Sequence, residues 1–112
     1  MSLDESTFTT LADATLADLF DTIDEVLGDV IDVDLEGGIL TLELETGGQY
    51  VINKHAPNRQ IWMSSPKSGA THYDHTPGPE GGRWTGTRDG GDLQQVLAGE
   101  LTALTGTAID LG

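Results

Sequence analysis

Carboxylate side chains are the groups in this sequence with the clearest capacity for chemistry. The first 53 residues contain 13 Asp or Glu and no Lys or Arg, and the first basic residue is Lys54. Within that segment Asp18, Asp21 and Glu25 are spaced so that they share one face of a helix, with Asp24 beside them. Ligand sets made only of oxygen suit hard cations such as Ca²⁺, Mg²⁺, Mn²⁺ or iron. The spacing therefore predicts a surface that binds cations or cationic proteins.

The same acids have a second interpretation, a solvated face that only keeps the protein soluble. The net charge is −14, and like charges one helical turn apart destabilise a helix by roughly 0.2–0.5 kcal/mol per pair. The acids do not follow the spacing of an EF-hand loop, and no histidine lies among them in the sequence. A metal ion bound by them would therefore be held weakly. Composition leaves both interpretations open. A surface this acidic would repel a phosphate backbone, which argues against nucleic acid as a partner.

Helical periodicity indicates which element carries the acids of residues 18–25. Apolar residues recur every three or four positions over residues 3–27, which predicts a long amphipathic helix. Ser2 and Glu5 stand in capping-box register, and Gly28 is a natural stop. A second helix is predicted over 93–105, with Asp92 as its cap. The tail Ile109–Leu111 is expected to lie back over the core.

Period-two alternation between the helices predicts a sheet with one face on a core and the other in water. Gly37-Gly38 and Gly47-Gly48 read as tight turns. The predicted strands are 30–36, 40–45, 49–53, 58–64, 70–75 and 83–87. With about five to seven consecutive strands, the sequence predicts an α+β two-layer sandwich. In this fold, both helices pack on one face of an antiparallel sheet, and residues 1–112 form one domain.

Several other classes of protein and site are excluded. With no cysteine there is no disulfide, thiolate metal site or thiol catalysis. No apolar run is long enough for a membrane span, and the acidic start resembles neither a secretory signal nor a transit peptide. We therefore expect a cytoplasmic protein, or a mature form already trimmed. The serine-rich stretch 64–69 shows no partner base and is expected to be a turn.

The two tryptophans and three histidines are the remaining candidates for a binding site. Trp62 shares its predicted face with polar residues, so it is either tucked under a neighbouring loop or an exposed anchor for a partner. Trp84 is expected in the core. Strand alternation points His72 and His75 in opposite directions, and His55 is expected in a turn. Because no zinc-type spacing exists, no separate histidine metal site is predicted.

The block YVINKHAPNRQIWMSSPKSG, residues 50–69, resembles the signature of the frataxin/CyaY family. Residues 3–13, the hairpin at 37–42 and the Tyr73-Asp74 pair also match, so the resemblance covers residues 3–111. The family fold is two helices on one face of an antiparallel sheet. The resemblance implies a protein that binds iron and modulates iron–sulfur cluster assembly by docking on the cysteine desulfurase and scaffold complex, as iron donor or sensor. The alternative is an acidic adaptor of the desulfurase whose metal binding is opportunistic.

The resemblance also implies site residues. The candidate ligands for weakly bound Fe²⁺ or Fe³⁺ are Asp4, Glu5, Asp18, Asp21, Asp24, Glu25, Asp32 and Asp34. The candidate scaffold-binding residues are Asn53, Asn58, Arg59, Gln60 and Trp62. His72 replaces a basic residue common in the family, His75 replaces an aromatic one, and the loop 76–82 is longer than usual.

The resemblance says less about the cellular location, the oligomeric state and any enzymatic activity of the protein. A bacterial cytoplasmic location is expected, or the mitochondrial matrix for a processed eukaryotic member. A monomer is expected, with oligomerisation under iron left open. Ferroxidase activity is associated with the family, but no enclosed di-iron site is visible, so no catalytic residues are predicted.

Overall fold

The computed structural model describes residues 4–45, 47–77, 82–88 and 90–112, which contain two helices and six strands. Helix α1 comes first and helix α2 last, with all the strands between them. The elements are α1 Glu5–Leu27, β1 Ile31–Glu36, β2 Ile39–Leu44, β3 Gln49–His55, β4 Gln60–Ser65, β5 Gly69–Thr76, β6 Arg83–Gly86 and α2 Leu93–Thr105.

The six strands form one antiparallel sheet in sequence order, so β1 and β6 are its edges. The β1–β2 turn needs positive φ at both central positions, and Gly37 and Gly38 supply it at 59° and 78°. Only glycine adopts this geometry at little steric cost. The predicted two-layer α+β sandwich is confirmed.

Alternation along the strands separates a core face from an outer face, the face turned away from the helices. Ile31, Leu40 and Leu42 are buried, whereas Asp32, Asp34 and Glu43 are exposed. Both helices bury their apolar stripes against the core face. The buried core comprises Phe8, Ala12, Leu16, Leu19, Ile23, Leu27, Ile31, Leu40, Leu42, Tyr50, Ile52, Ile61, Met63, Tyr73, Trp84, Leu93, Leu97 and Leu101.

Trp84 is buried in this core, as predicted. Its ring meets Phe8 edge-on with 6.0 Å between centroids, and its Nε1–H donates to Thr15 Oγ1 at 2.8 Å. The hydrogen bond satisfies the polar end of a buried indole and ties α1 to β6. The tail packs against the same core through Ile109 and Leu111, as predicted.

Helix α1 begins two residues later than the predicted 3–27. Asp4 is the N-cap, and its carboxylate accepts from the Thr7 N–H at 2.7 Å. Ser2, the expected capping residue, lies outside the described residues. Gly28 ends the helix as predicted, where a Cβ would collide with the Asp24 carbonyl oxygen. No helix among the described residues is long and apolar enough to cross a membrane.

The connection between β3 and β4 differs from the prediction, which began a strand at Asn58. A 3₁₀ turn occupies Ala56–Asn58, with Pro57 in its first turn, and Arg59 follows in the left-handed region at φ 53°. Arg59 Nη1 donates to the Ala56 carbonyl oxygen and holds the turn closed. Asn58 therefore does not lie on the outer face of the sheet, as the sequence had suggested. It lies, with Arg59, in the turn that precedes β4.

Candidate functional site

The acids of α1 form an exposed row. Asp18, Asp21, Asp24 and Glu25 are all solvent-exposed, and the uninterrupted helix places Asp18, Asp21 and Glu25 on one face, as predicted. Among the described residues, none of these four side chains has an ion-pair or hydrogen-bond partner. Their charge is therefore left for solvent, cations or a cationic surface to neutralise.

The acids of β1 lie on the neighbouring edge strand. Asp32 and Asp34 are exposed and alternate with Ile31 and Val33, which turn towards α1 and the core. Because β1 is an edge strand that packs under α1, the two groups of acids occupy the same side of the molecule. They project from different layers, however. The aspartates point to the outer face because alternate residues must fill the core.

The two groups therefore make an acidic surface rather than a chelating site. No set of three or more His, Asp or Glu side chains among the described residues is arranged to hold one metal ion. Cations would meet carboxylates one or two at a time, with solvent completing the coordination. Such a surface favours weak, exchangeable binding of hard cations.

Asp4 and Glu5 lie at the start of α1. One Asp4 oxygen caps the helix, and the hydrogen bonds from Thr7 lower the pKa of this carboxyl below its usual value. Glu5 is exposed in the first turn of the helix. Asp4 thus has a structural role as a cap, which the sequence assigned to Ser2.

The basic residues form no ion pair with the acids of the α1 row or of β1 in the part of the chain that the structure describes. Asp4 differs, because the capping hydrogen bonds and the charge of Arg59 both lower the pKa of its carboxyl. Lys54 Nζ lies 2.9 Å from Asp13 Oδ1, and Arg83 Nε lies 2.6 Å from Asp92 Oδ2. Neither pair includes an acid of the α1 row or of β1. The acids of the α1 row and of β1 are therefore not shielded by an ion pair with the chain's own cations.

The outer face carries an aromatic stack that the sequence did not predict. Trp62 lies between His55 and His72, with ring centroids 3.6 and 4.1 Å apart and planes 8° and 10° from parallel. His72 is directly opposite Trp62 on β5, whereas His55 is on β3, diagonal to it. Trp62 is half-buried, so its environment is neither the loop pocket nor the fully exposed anchor considered from sequence.

Polar side chains surround this stack. Trp62 Nε1–H donates to Gln60 Oε1 at 2.8 Å, and Gln60 Nε2 donates to Asp74 Oδ1 at 2.9 Å. Asn53 is the cross-strand partner of Trp62 on the other side. Of the five residues predicted to bind a partner, Asn53, Gln60 and Trp62 thus lie together on the outer face. The exceptions are Asn58 and Arg59, which lie in the turn before β4.

One feature of the stack could be foreseen from strand alternation. Alternation predicted that His72 and His75 point in opposite directions. The structure agrees, since His72 stacks on Trp62 on the outer face and His75 meets Trp84 edge-on at 5.2 Å on the core face. The register of β3 against β4, which brings His55 to Trp62, could not be read from spacing.

Two serines hold the serine-rich turn together through hydrogen bonds. Ser65 Oγ donates to Glu100 Oε1 at 2.6 Å and accepts from the N–H groups of Lys67 and Ser68, each at 3.0 Å. Ser68 Oγ donates to the other Glu100 oxygen at 2.7 Å. These bonds shape the β4–β5 turn, so the expectation of a turn is confirmed.

Comparison with known proteins identifies the family. The model of the frataxin-like domain matches residues 1–107. The chain belongs to the frataxin-like family. Relatives of this family include the CyaY iron–sulfur cluster assembly protein of Neisseria meningitidis, 36% identical over 96% of this chain and 94% of its own length. A mitochondrial frataxin-like protein of Leishmania donovani is 43% identical over 93% of this chain. The chain spans only 58% of that relative.

Solved frataxin structures share the fold. Frataxin from Psychromonas ingrahamii superposes with a TM-score of 0.85 at 27% identity, covering 98% of this chain and 99% of the other. Trimeric frataxin from Saccharomyces cerevisiae, complexed with ferrous iron, gives a TM-score of 0.73 at 38% identity, with 86% of each chain covered.

Proposed function

We propose that this frataxin-like protein binds iron weakly on its acidic surface and modulates iron–sulfur cluster assembly by docking on the cysteine desulfurase and scaffold complex. The observation that carries the proposal is the unneutralised acidic surface of α1 and β1. A row of exposed carboxylates without ion-pair partners has a cost for the free protein, and a cationic ligand offsets it.

The chemistry of these residues fits iron as cargo. Carboxylate oxygens are hard ligands suited to Fe²⁺ and Fe³⁺, and the related yeast frataxin is described in complex with ferrous iron. The candidate ligands are Asp18, Asp21, Asp24, Glu25, Asp32 and Asp34, with Asp4 and Glu5 at the outer end. Because the surface is open, iron would exchange easily, as expected of a donor or sensor.

Docking would use two surfaces of different character. The acidic surface suits a basic patch on the desulfurase, and oppositely charged surfaces speed association. The outer face around Trp62, with Asn53 and Gln60, combines an aromatic centre with a polar rim, which is typical of protein interfaces. We assign this second surface to the scaffold protein.

Location and assembly follow from the same proposal. The relatives include a bacterial CyaY protein and mitochondrial frataxins, so a bacterial cytoplasmic location stays a prediction, with the mitochondrial matrix as the eukaryotic counterpart. A monomer is proposed in the absence of iron. The trimer described for yeast frataxin makes assembly under iron load worth measuring.

A second function is favoured by the lack of a chelating cluster among the described residues. The acidic surface would then act only as an adaptor for basic proteins, and metal binding would be opportunistic. In that case association with the desulfurase would weaken with salt but would not change when metal is stripped.

The deciding experiment compares two variants of equal charge. Asp21→Asn with Glu25→Gln removes two charges from the α1 row, whereas Glu45→Gln with Asp110→Asn removes two from the β2–β3 turn and the tail. Fe²⁺ titrated anaerobically should broaden the NMR signals of residues 18–34 in the parent and the control. The α1 variant should lose this effect together with its influence on cluster formation on a scaffold.

Each result has a distinct meaning. Broadening that is spread over the whole protein, or unchanged in the α1 variant, would contradict iron binding at this surface. Loss of desulfurase binding in the α1 variant, with no dependence on iron, would favour the adaptor.

A further inference from the structure

Both faces of the Trp62 indole are covered by side chains of this chain. His55 stacks on one face at 3.6 Å and His72 on the other at 4.1 Å, each within 10° of parallel. A partner that approaches the outer face therefore cannot lay an arginine or an aromatic ring on the indole without displacing a histidine.

The strand geometry fixes how the stack is presented. Neighbouring strands lie about 4.8 Å apart, and their side chains stand roughly perpendicular to the sheet. Three rings from β3, β4 and β5 can stack face to face at this spacing only if their planes also stand on the sheet. The rings consequently turn their edges, not their faces, towards solvent.

A hydrogen bond further restricts rotation of the indole ring. Trp62 Nε1–H is bound to Gln60 Oε1, and Gln60 is itself held by Asp74. With both faces covered and the N–H occupied, the ring cannot rotate about its side-chain bonds without breaking several contacts at once.

The stack is not a metal site. The two imidazoles lie on opposite sides of the indole, whereas one metal ion holds each histidine nitrogen at about 2 Å. A shared ion is therefore excluded by distance, and the two histidines serve the tryptophan instead.

We propose that His55 and His72 are positioning residues that hold the Trp62 indole upright as a preformed docking anchor. This proposal rests on the proposed docking of the scaffold at the outer face. The exposed indole edge carries the positive part of the ring quadrupole. It therefore selects a partner that offers apolar groups or oxygen atoms, such as backbone carbonyls, and disfavours a cationic side chain.

We call the pair His55 and His72 on the two faces of the Trp62 indole the clamp. Its benefit for binding is preorganisation. A rotamer-rich side chain that must be ordered on binding usually weakens an interface by about two- to tenfold. In this protein the indole is already ordered when the chain folds, because the stack and the hydrogen bond hold the ring. Binding therefore loses little further side-chain entropy.

The test measures binding and ring motion together. His55→Ala and His72→Ala should each weaken binding of purified scaffold protein, measured by calorimetry with the desulfurase present, by about two- to tenfold. In ¹⁵N relaxation spectra the Trp62 indole should become mobile in both variants. The Trp84 indole, held in the core by Thr15, is the internal control and should stay rigid.

Three further variants separate stacking from other roles. His55→Phe and His72→Phe keep a flat ring against the indole and should restore both affinity and rigidity, which also guards against an alanine variant that folds poorly. His75→Ala removes a histidine from the core face of β5 and should lower the melting temperature while leaving scaffold affinity unchanged.

The outcomes distinguish the clamp from the docking function. If Trp62→Ala weakens scaffold binding but the histidine variants bind like the parent, the clamp is overturned and docking stands. Failure of phenylalanine to rescue would also overturn a role through stacking. If Trp62→Ala itself leaves binding unchanged, docking at this face fails, and the clamp fails with it.

Discussion

Glu100 joins three parts of the fold through one carboxylate. It accepts hydrogen bonds from Tyr50 on β3 at 2.7 Å, from Ser65 on β4 at 2.6 Å and from Ser68 in the following turn at 2.7 Å. Glu100 itself lies on α2. Hydrogen bonds to a charged group contribute about 1.5–3 kcal/mol each, so this cluster is a strong local connection between helix and sheet.

Replacing Glu100 by Gln tests this connection. The amide keeps one acceptor oxygen but presents an NH₂ group to a hydroxyl donor, so we expect the free energy of unfolding to fall by about 1–3 kcal/mol. Urea unfolding measures the change. Glu43→Gln, at an exposed position of β2, is the matched control and should stay within about 0.5 kcal/mol of the parent. Equal stability of the two variants would contradict the role of the cluster.

The same cluster predicts a pH dependence. Partial burial raises the pKa of Glu100, but the hydrogen bonds from Ser65, Ser68 and Tyr50 outweigh it and lower the pKa below its ordinary value of 4.5. A carboxyl whose pKa is lowered by folding stabilises the native state above its unfolded pKa. That contribution is lost as the pH falls through the lower, native pKa.

The free energy of unfolding of the parent should therefore decline below about pH 4.5. The Glu100→Gln variant should decline less steeply, so the two curves converge in acid. Urea unfolding at successive pH values gives both curves. Parallel curves would show that Glu100 is not a source of the acid sensitivity.

At the scale of elements, one carboxylate both caps α2 and ties it to β6. Asp92 Oδ1 accepts from the Gln95 N–H at 3.1 Å, and Arg83 reaches the two Asp92 oxygens at 2.6 and 2.7 Å. Partial burial raises the pKa of Asp92, but the Arg83 hydrogen bond and the capping bonds lower it overall. The helix start and the edge strand therefore share one anchor.

Two substitutions separate the two roles of Asp92. Asparagine caps a helix about as well as aspartate, so Asp92→Asn removes mainly the ion pair and should cost about 1 kcal/mol or less. Asp92→Ala removes the cap as well and should cost about 1 kcal/mol more. Thermal unfolding gives the stabilities, and amide exchange of Leu93–Val96 reports local fraying. Equal losses in both variants would show that the cap adds nothing.

Local pattern predicted most of these elements. The alternation of Ile31 and Val33 with aspartates gave β1 to within one residue, and Asp92 gave the start of α2. The pattern failed between β3 and β4, where the 3₁₀ turn and the left-handed Arg59 delay the strand. A non-glycine residue with positive φ leaves little trace in a sequence, because its cost is offset by contacts made elsewhere.

The candidate site was only partly predictable for a related reason. The α1 acids depend on helical spacing alone, and their exposure and shared face could be foreseen. The stack of Trp62 between His55 and His72 depends on the register of three strands. The Glu100 cluster joins residues up to 50 positions apart. Long-range contacts of this kind are decided by packing of the whole sheet and not by local spacing.

For the whole molecule, charge is distributed as unevenly as the sequence suggested. The acid-rich first 53 residues form α1, β1, β2 and most of β3. Two of the five basic residues are engaged by Asp13 and Asp92. The fold thus concentrates negative charge on one side without neutralising it, and this repulsion acts between elements as well as within α1.

Ionic strength should therefore stabilise the free protein. The molecule measures 40 × 27 × 24 Å, whereas the Debye length is about 30 Å at 0.01 M salt and about 10 Å at 0.1 M. At low salt the acids repel across much of the molecule, and at higher salt only near neighbours do. Screening worth about 1 kcal/mol would raise the melting temperature by about 4–8 °C.

Calorimetry in different salts separates screening from site binding. Sodium chloride and choline chloride at equal ionic strength should raise the melting temperature equally, because screening does not depend on the cation. Magnesium chloride or anaerobic Fe²⁺ should raise it further, since a ligand that prefers the native state stabilises it. The Asp21→Asn, Glu25→Gln variant should melt higher than the parent at low salt and lose part of the divalent effect. A melting temperature that is insensitive to every salt would mean that the acids are too well solvated to repel one another, and the energetic argument for a cationic ligand would fail.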